Sequence, residues 1–343
     1  MNRPLATIVV VPRERFSVTR RALEALYAST NGAFPVVYVD AGSPPPIKRY
    51  LAAEARSRGF ELVRIESYLA PNQARNIGLR QVKTRYVIFI DNDAVPAPGS
   101  LDRLVQCAEE TGAWVVGPIY FVGEPGREEI HMAGGDARVE EHPDGRHFVE
   151  RHRHVGKRAA EIREHLVRAP CEQVEFHCML VRTEVFGEQR VGPLDESLLS
   201  LAEHTDLCLL VRKRGGEVFF EPDAAVTYIT TDPFGLSDYA FFFRRWSEAW
   251  NEVSIEHFRE KWGVSSTDPG IVELWHFSRE HRHYPLVPIQ RALIRAFGFR
   301  VGRWLGRRME AFETRVNRRW VNFDRRPRAD AHASSRSGRP ASG

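Results

Sequence analysis

Residues 86–93 read Tyr86-Val87-Ile88-Phe89-Ile90-Asp91-Asn92-Asp93. The first five are a continuous aromatic and β-branched run without polar alternation. That is the pattern of a parallel strand covered on both faces. The run passes directly into Asp91-Asn92-Asp93, which sets two carboxylates at the strand's carboxyl end. In open α/β sheets ligands gather at that end.

Working outward, the same alternation continues on both sides. Residues 6–11 (ATIVVV) form a buried strand ended by Pro12, and 18–27 carry helix-spaced Leu23, Leu26 and Tyr27. Residues 35–39 (PVVYV) form a second strand that ends at Asp40-Ala41-Gly42-Ser43. Helices are predicted over 47–58, 72–82 and 100–110, with further strands at 61–65 and 114–116. Repeated βα units with short links predict an α/β domain, a Rossmann-like and mostly parallel sheet with helices on both faces. Asp40 and the Asp91/Asp93 pair then lie at two carboxyl strand ends. Order resumes at 174–181 (VEFHCMLV), 195–212 and 217–220. The segment 123–168 is irregular and reads as a long, partly mobile excursion over the active face.

An Asp-x-Asp after a buried strand offers hard oxygen ligands to Mg²⁺ or Mn²⁺, and such an ion can clamp a diphosphate. Turn-forming or helix-capping carboxylates account for many such tripeptides, so position carries the argument.

Four separated segments, in order over about 220 residues, resemble the family 2 glycosyltransferases of GT-A fold. Asp40-Ala41-Gly42-Ser43 resembles the first motif, whose aspartate contacts the nucleobase. Asn72-Gln73-Ala74-Arg75-Asn76-Ile77-Gly78 resembles the helix-opening "ARNxG" segment beside the nucleotide. Asp91-Asn92-Asp93 resembles the metal-binding Asp-x-Asp. Leu194-Asp195-Glu196 through Glu203-His204-Thr205-Asp206-Leu207-Cys208-Leu209 resembles the "GfDE…EDxDLCLR" block. Ala133-Gly134-Gly135 is similar to an element of many bacterial members.

The resemblance implies inverting, single-displacement transfer from a nucleotide-sugar donor to an acceptor hydroxyl, with Asp91 and Asp93 binding the metal. Pro12, Asp40, Arg75, Asn76, Asp91 and Asn92 would line the nucleotide. The family's general base is the aspartate of "ED", and here that position is His204, preceded by Glu203. A neutral imidazole is a competent base near pH 7. Asp206 is a second candidate, although helical geometry turns it about 200° from His204. A second departure is Tyr228, which stands where many members place a metal-ligating histidine, and a phenol is a poor ligand for Mg²⁺.

The 343 residues, 43% hydrophobic and 27% charged, fit a globular body with an appendage. No apolar run is long enough to span a membrane and no signal-like stretch opens the chain, so a cytoplasmic location is expected. Cys107, Cys171, Cys178 and Cys208 lack CxxC spacing and read as buried thiols. His131, His142, His147, His152 and His154 are irregularly spaced and read as solvated loop histidines rather than a metal site. The reading divides the chain into a GT-A domain (1–235), an aromatic and Arg-rich helical extension (236–324) and a disordered tail (325–343). Phe241, Phe242 and Phe243 read as a packed helix.

Charge is unevenly spread. Residues 281–343 hold fifteen arginines, no lysine and four acids, a net of +11, which leaves −7 for the remainder. Leu293, Phe297, Val301, Trp304 and Leu305 recur at helical spacing opposite Arg300, Arg303 and Arg307. A basic amphipathic helix suits peripheral contact with an anionic membrane, where a glycan or lipid-linked acceptor of surface-glycan or glycolipid synthesis would be met. A helix packed on the body is the plainer reading. Gly298, Gly302 and Gly306 either weaken that helix or mark close packing. No nucleic-acid motif is present, so nucleic acid is not an expected partner. Two other functions compete. One is a catalytically silent GT-A scaffold binding a nucleotide or partner, favoured by His204 and Tyr228. The other is a nucleotidyltransferase, disfavoured because no Gly-rich, lysine-bearing loop follows the first strand.

Overall fold

A computed structural model describes residues 4–30 and 34–324, with side chains to 321. Two compact units divide the chain: residues 1–246 with 250–285, and residues 247–249 with 286–343. The sequence reading ended the first domain at 235, whereas the sheet-bearing unit continues to 285 apart from residues 247–249. The proposed disordered tail, 325–343, lies outside the described residues.

The first unit opens with β1 (Ala6–Val11), α1 (Thr19–Thr30), β2 (Val36–Ala41), α2 (Pro45–Arg58), β3 (Glu61–Ile65), α3 (Pro71–Leu79) and β4 (Tyr86–Asp91). β4, β1, β2 and β3 lie side by side in parallel, with Val9 opposite both Phe89 and Val37. Every residue of β1, β2 and β4 is buried. Each Val or Ile so removed from water contributes about 1.5–3 kcal/mol. Helix α3 sits close on this sheet because residue 78 is glycine; a Cβ there would stand 2.4 Å from Val9 Cγ1.

The chain continues through β5 (Ala94–Pro96), α4 (Ser100–Thr111), β6 (Val115–Val122), β7 (Ile130–Met132), β8 (Gly135–His142), β9 (Gly145–His152), β10 (Ala169–Cys171), β11 (Cys178–Arg182), α5 (Glu203–Lys213) and β12 (Val218–Tyr228). The main sheet runs β10-β12-β6-β11-β4-β1-β2-β3, with β5 on β12 and β7 on β6. β11 is antiparallel to both neighbours, β4 and β6. The sheet is therefore parallel on one half and mixed on the other, and Asp91 sits near its middle.

Residues 123–168 are more regular than the sequence suggested. β8 and β9 pair antiparallel over eight positions, from Gly135↔His152 to His142↔Gly145, around a turn at Pro143-Asp144. The ribbon lacks a clean apolar alternation, which hid it, but Pro-Asp-Gly is a turn signal.

After the sheet come α6 (Asp238–Arg245), α7 (Glu248–Trp262) and α8 (Pro269–His283). Asp268 caps α8 by accepting from Gly270 N at 3.0 Å and Ile271 N at 3.3 Å. Phe241, Phe242, Trp246, Ile255, Phe258 and Ile271 are buried, so the aromatic run is packing, as expected. All four cysteines are free and buried.

The second unit holds α9 (Val287–Asp324), which breaks at Gly298 (φ 74°, ψ 167°) into two arms. A Cβ on Gly302 would lie 2.4 Å from Ile294 Cα, and one on Gly306 3.3 Å from Gln290 Cγ. The glycines thus serve close packing: one turns the chain, and two let the arms approach. Gln290 Nε2 donates to Glu310 Oε1 across the pair at 2.5 Å. No helix among the described residues is long and apolar enough to cross a membrane.

Candidate active site

β4 delivers Asp91 to the sheet's carboxyl edge, and the turn after it buries Asn92 and Asp93. Asn92 locks the turn: its Nδ2 donates to Arg15 O (2.8 Å) and Thr19 Oγ1 (3.0 Å), and its Oδ1 accepts from Arg13 N (3.0 Å). Asp91 accepts from Arg75 at 3.0 Å and lies 3.6 Å from Arg13. Asp93 is fully buried, and neither carboxylate oxygen has a hydrogen-bond partner. Burial drives its pKa up to about 7, with Arg13 opposing and Asp91 and Glu14 adding to the rise. Burial likewise raises Asp91, against the pull of Arg75 and Arg13.

A third group completes this corner. His177, in the segment leading into β11, is buried, and its Nδ1 stands 3.5 Å from Asp91 Oδ2 without a hydrogen bond. Burial, followed by the Arg13 charge, holds His177 well below the usual imidazole range, so its ring is neutral. Asp91, Asp93 and His177 can each offer an atom within 4.8 Å of the others. Two carboxylates and a neutral imidazole, with three orphaned buried atoms among them, fit a divalent cation. Sequence reasoning missed His177 because a histidine inside VEFHCMLV reads as core. Tyr228, where the resemblance leads one to expect a histidine, stacks on His177 and gives its hydroxyl hydrogen to Glu14. Arg13 lies 4.6 Å over the same phenol ring.

The remaining nucleotide candidates have firm structural partners. Pro12 follows β1, two residues before the buried Glu14. Asp40 accepts from Ser43 Oγ (2.9 Å) and Arg64 (2.7 Å). Arg75 is buried and lies 3.9 Å over the Phe176 ring. Asn76 ties α3 to the loop before α5, donating to Leu194 O (2.8 Å) and Glu196 (2.9 Å) and accepting from Leu194 N (3.0 Å).

α5 begins at Glu203, after Ala202 in the left-handed region (φ 61°). Glu203 is buried against Arg245 at 3.2 Å. Asp206 has both oxygens engaged, by Lys261 Nζ at 2.8 Å and Trp262 Nε1 at 3.0 Å. His204 points elsewhere, its Nε2 3.5 Å from Glu150 Oε1, an ion contact without hydrogen-bond alignment. Burial opposes its charge, but Glu150 and Glu175 outweigh burial and raise its pKa.

Two of the five histidines expected to be solvated are not. His142 and His147 do sit at the partly solvated end of the ribbon, and His147 bridges Asp144 and Asp268 at 3.0 Å each. His131 and His152 instead turn inward, 3.0 and 3.8 Å from the buried Glu175. Pairing of β8 with β9 carries His152 there, and strand β7 carries His131.

A cleft of about 670 Å³ lined by Asn76, Leu79, Thr183, Phe186, Leu194 and Glu196 lies at the opposite edge of the sheet. It lies just beyond the C-terminal end of β11, whose last residue Arg182 pairs with Tyr86, the first residue of β4. Volume and chemistry therefore part company here, and the carboxylate corner is the better candidate.

A family model for glycosyl transferase family 2 matches residues 7–186, more than half of the chain. The chain belongs to glycosyl transferase family 2. The match takes in Asp40, the α3 segment, Asp91-Asn92-Asp93 and His177. Among curated relatives, the pre-mycofactocin glycosyltransferase of Mycobacterium tuberculosis is 26% identical over 225 residues, covering 65% of this chain and 42% of that one. Succinoglycan biosynthesis protein ExoO of Rhizobium meliloti is 28% identical over 112 residues, 33% of this chain and 32% of that one. The chain thus spans less than half the length of these relatives. The crystal structure of GalNAc-T7 with UDP, GalNAc and Mn²⁺ superposes with a TM-score of 0.52 over 85% of this chain and 58% of that one, at 18% identity. That likeness shows the GT-A fold.

Proposed function

We propose that this family 2 member moves a sugar, with inversion, from a nucleoside-diphosphate sugar to an acceptor hydroxyl on a glycan or lipid-linked glycan. The observation that supports this most is the trio Asp91, Asp93 and His177, buried, neighbouring and rich in unsatisfied atoms. Mg²⁺ or Mn²⁺ bound there would offset the diphosphate's negative charge. Arg13 and Arg75 flank Asp91 and fix its orientation. We assign the acceptor's proton to His204 rather than Asp206, because both oxygens of Asp206 are already engaged. Glu150 stands beside the imidazole and would stabilise the imidazolium formed when His204 takes the proton. Such a base contributes about 10²–10⁴-fold.

Calorimetric titration with UDP, GDP and dTDP, with and without Mn²⁺, tests the donor site. One nucleotide should bind in a metal-dependent way and lose binding in Asp93→Ala. Transfer or donor hydrolysis should fall at least about a hundredfold in His204→Ala and recover in His204→Asp. Nucleotide binding without turnover would favour the silent scaffold, and a folded protein that binds no nucleotide would overturn the enzyme reading.

A further inference from the structure

Beside the carboxylate corner lies a second group of ligating side chains that the transfer reaction does not use. His131 Nε2 stands 3.0 Å from Glu175 Oε2, and His152 Nε2 stands 3.8 Å from Glu175 Oε1. The imidazoles of His131 and His152 meet edge to face, centroids 5.4 Å apart at 81°. Each of the three residues can offer an atom within 4.8 Å of the others.

Two features distinguish this from an ordinary ion pair. Glu175 is more than nine-tenths buried, yet its Oε2 makes no hydrogen bond, although His131 Nε2 stands 3.0 Å away and Nε2 of His177, whose Nδ1 faces the carboxylate corner, 3.7 Å away. His131 Nε2 and Glu175 Oε2 are close but misaligned, as ligands facing a common centre would be. The three residues are also held by rigid neighbours. His131 lies between Ile130 and Met132, both fully buried, and His152 ends β9 opposite Gly135. Glu175 N donates to the buried Tyr120 hydroxyl at 3.0 Å.

We propose that His131, His152 and Glu175 bind a first-row transition ion of the Zn²⁺ class, separate from the cation of the Asp91/Asp93/His177 corner. Two imidazoles and one carboxylate are a donor set for such an ion, and three protein ligands leave a coordination position open. Glu150 and His204 form a second such group with His152. An ion here pins the β8–β9 ribbon to the strand β7 and the segment before β11. Magnesium, which prefers oxygen ligands, is a poor occupant.

The test reads metal binding alone, so it stands whether or not a nucleotide binds. Chelator-stripped Asp93→Asn protein, its first site disabled, is titrated with Co²⁺ and Zn²⁺. One Co²⁺ per chain should bind, with visible absorption of a four- or five-coordinate nitrogen and oxygen site. Zn²⁺ should displace it. The double variant His131→Gln/His152→Gln on this background should lose at least about ten- to a hundredfold in affinity. Should that variant unfold, X-ray absorption of the Zn²⁺-loaded Asp93→Asn protein should count two imidazoles per zinc. No Co²⁺ or Zn²⁺ binding by folded Asp93→Asn protein, unchanged affinity in the double variant, or fewer than two imidazoles would overturn the proposal and leave a plain histidine–glutamate ion pair.

Discussion

The phenol of Tyr228 stacks on the imidazole of His177, ring centroids 4.4 Å apart and planes 29° from parallel. β12 therefore brings its last residue, where the sequence resemblance leads one to expect a histidine, beside the candidate metal corner, but with a phenol ring in place of an imidazole. The imidazole of this corner, His177, stands instead at the entry to β11, which β6 separates from β12 in the sheet.

An exchange variant tests that relation. His177→Ala should weaken Mn²⁺-dependent nucleotide binding by about tenfold or more, because one ligand is gone. Adding Tyr228→His to it should recover much of the loss by returning an imidazole from β12. Calorimetry on both variants decides it. Unaltered binding in His177→Ala would remove His177 from the site.

Asp93 offers a stability readout. Its carboxylate is fully buried with no hydrogen bond and stands near Asp91 and Glu14. Such a group costs the metal-free fold about 1–3 kcal/mol. Asp93→Asn removes the charge at constant size, so the metal-free protein should melt higher than the wild type. The same variant should lose the stabilisation that Mn²⁺ confers on the wild type. Differential scanning fluorimetry with and without Mn²⁺ measures both, and a lower metal-free Tm would contradict the argument.

Much of this site was legible because strand ends follow from apolar runs. The apolar runs 6–11, 35–39 and 86–90 by themselves place Asp40 and Asp91 at carboxyl edges. His177 was not legible, since burial and ligation leave the same mark on a single histidine in an apolar strand. Nor were His131 and His152, which the three-residue strand β7 and a ribbon with no apolar alternation bring to Glu175. Gly298 was ambiguous because a helix-weakening residue and a turn residue are the same residue; its positive φ and the approach of Gly302 to Ile294 separate them.

Asp195 sets an acid limit on stability. It accepts from His257 Nε2 and Lys261 Nζ, both at 2.8 Å, and from Ser197 N at 3.0 Å. Burial pushes its pKa up, but the hydrogen bonds from Lys261 and His257 outweigh burial and bring it to about 2. A depressed carboxyl stabilises the fold above its unfolded pKa and loses that contribution as pH falls through the folded one. The contribution, on the order of 1 kcal/mol after allowing for solvent screening, should fade between about pH 4 and pH 2. Melting curves of wild type and Asp195→Asn should therefore differ at pH 7 and converge near pH 2. A constant difference across that range would exclude this linkage.

The helical pair of the second unit carries the membrane prediction. Phe297 and Phe299 flank the turn at Gly298 and are exposed, as are Val301 and Trp304 on the second arm. Arg291, Arg295, Arg300, Arg303, Arg307 and Arg308 lie along the same stretch. Arg303 and Arg308 lie over the rings of Phe299 and Trp304, and exposed aromatics among guanidinium groups complement a bilayer that is apolar inside and anionic at its surface. We therefore expect the protein to sediment with vesicles containing phosphatidylglycerol and not with purely zwitterionic ones. Phe297→Ser/Phe299→Ser should weaken this while leaving salt sensitivity, whereas Arg300→Gln/Arg303→Gln/Arg307→Gln should remove the dependence on anionic lipid, each arginine contributing about 1 kcal/mol near the surface. Equal sedimentation of all three proteins would mean that the exposed aromatics and arginines serve another partner.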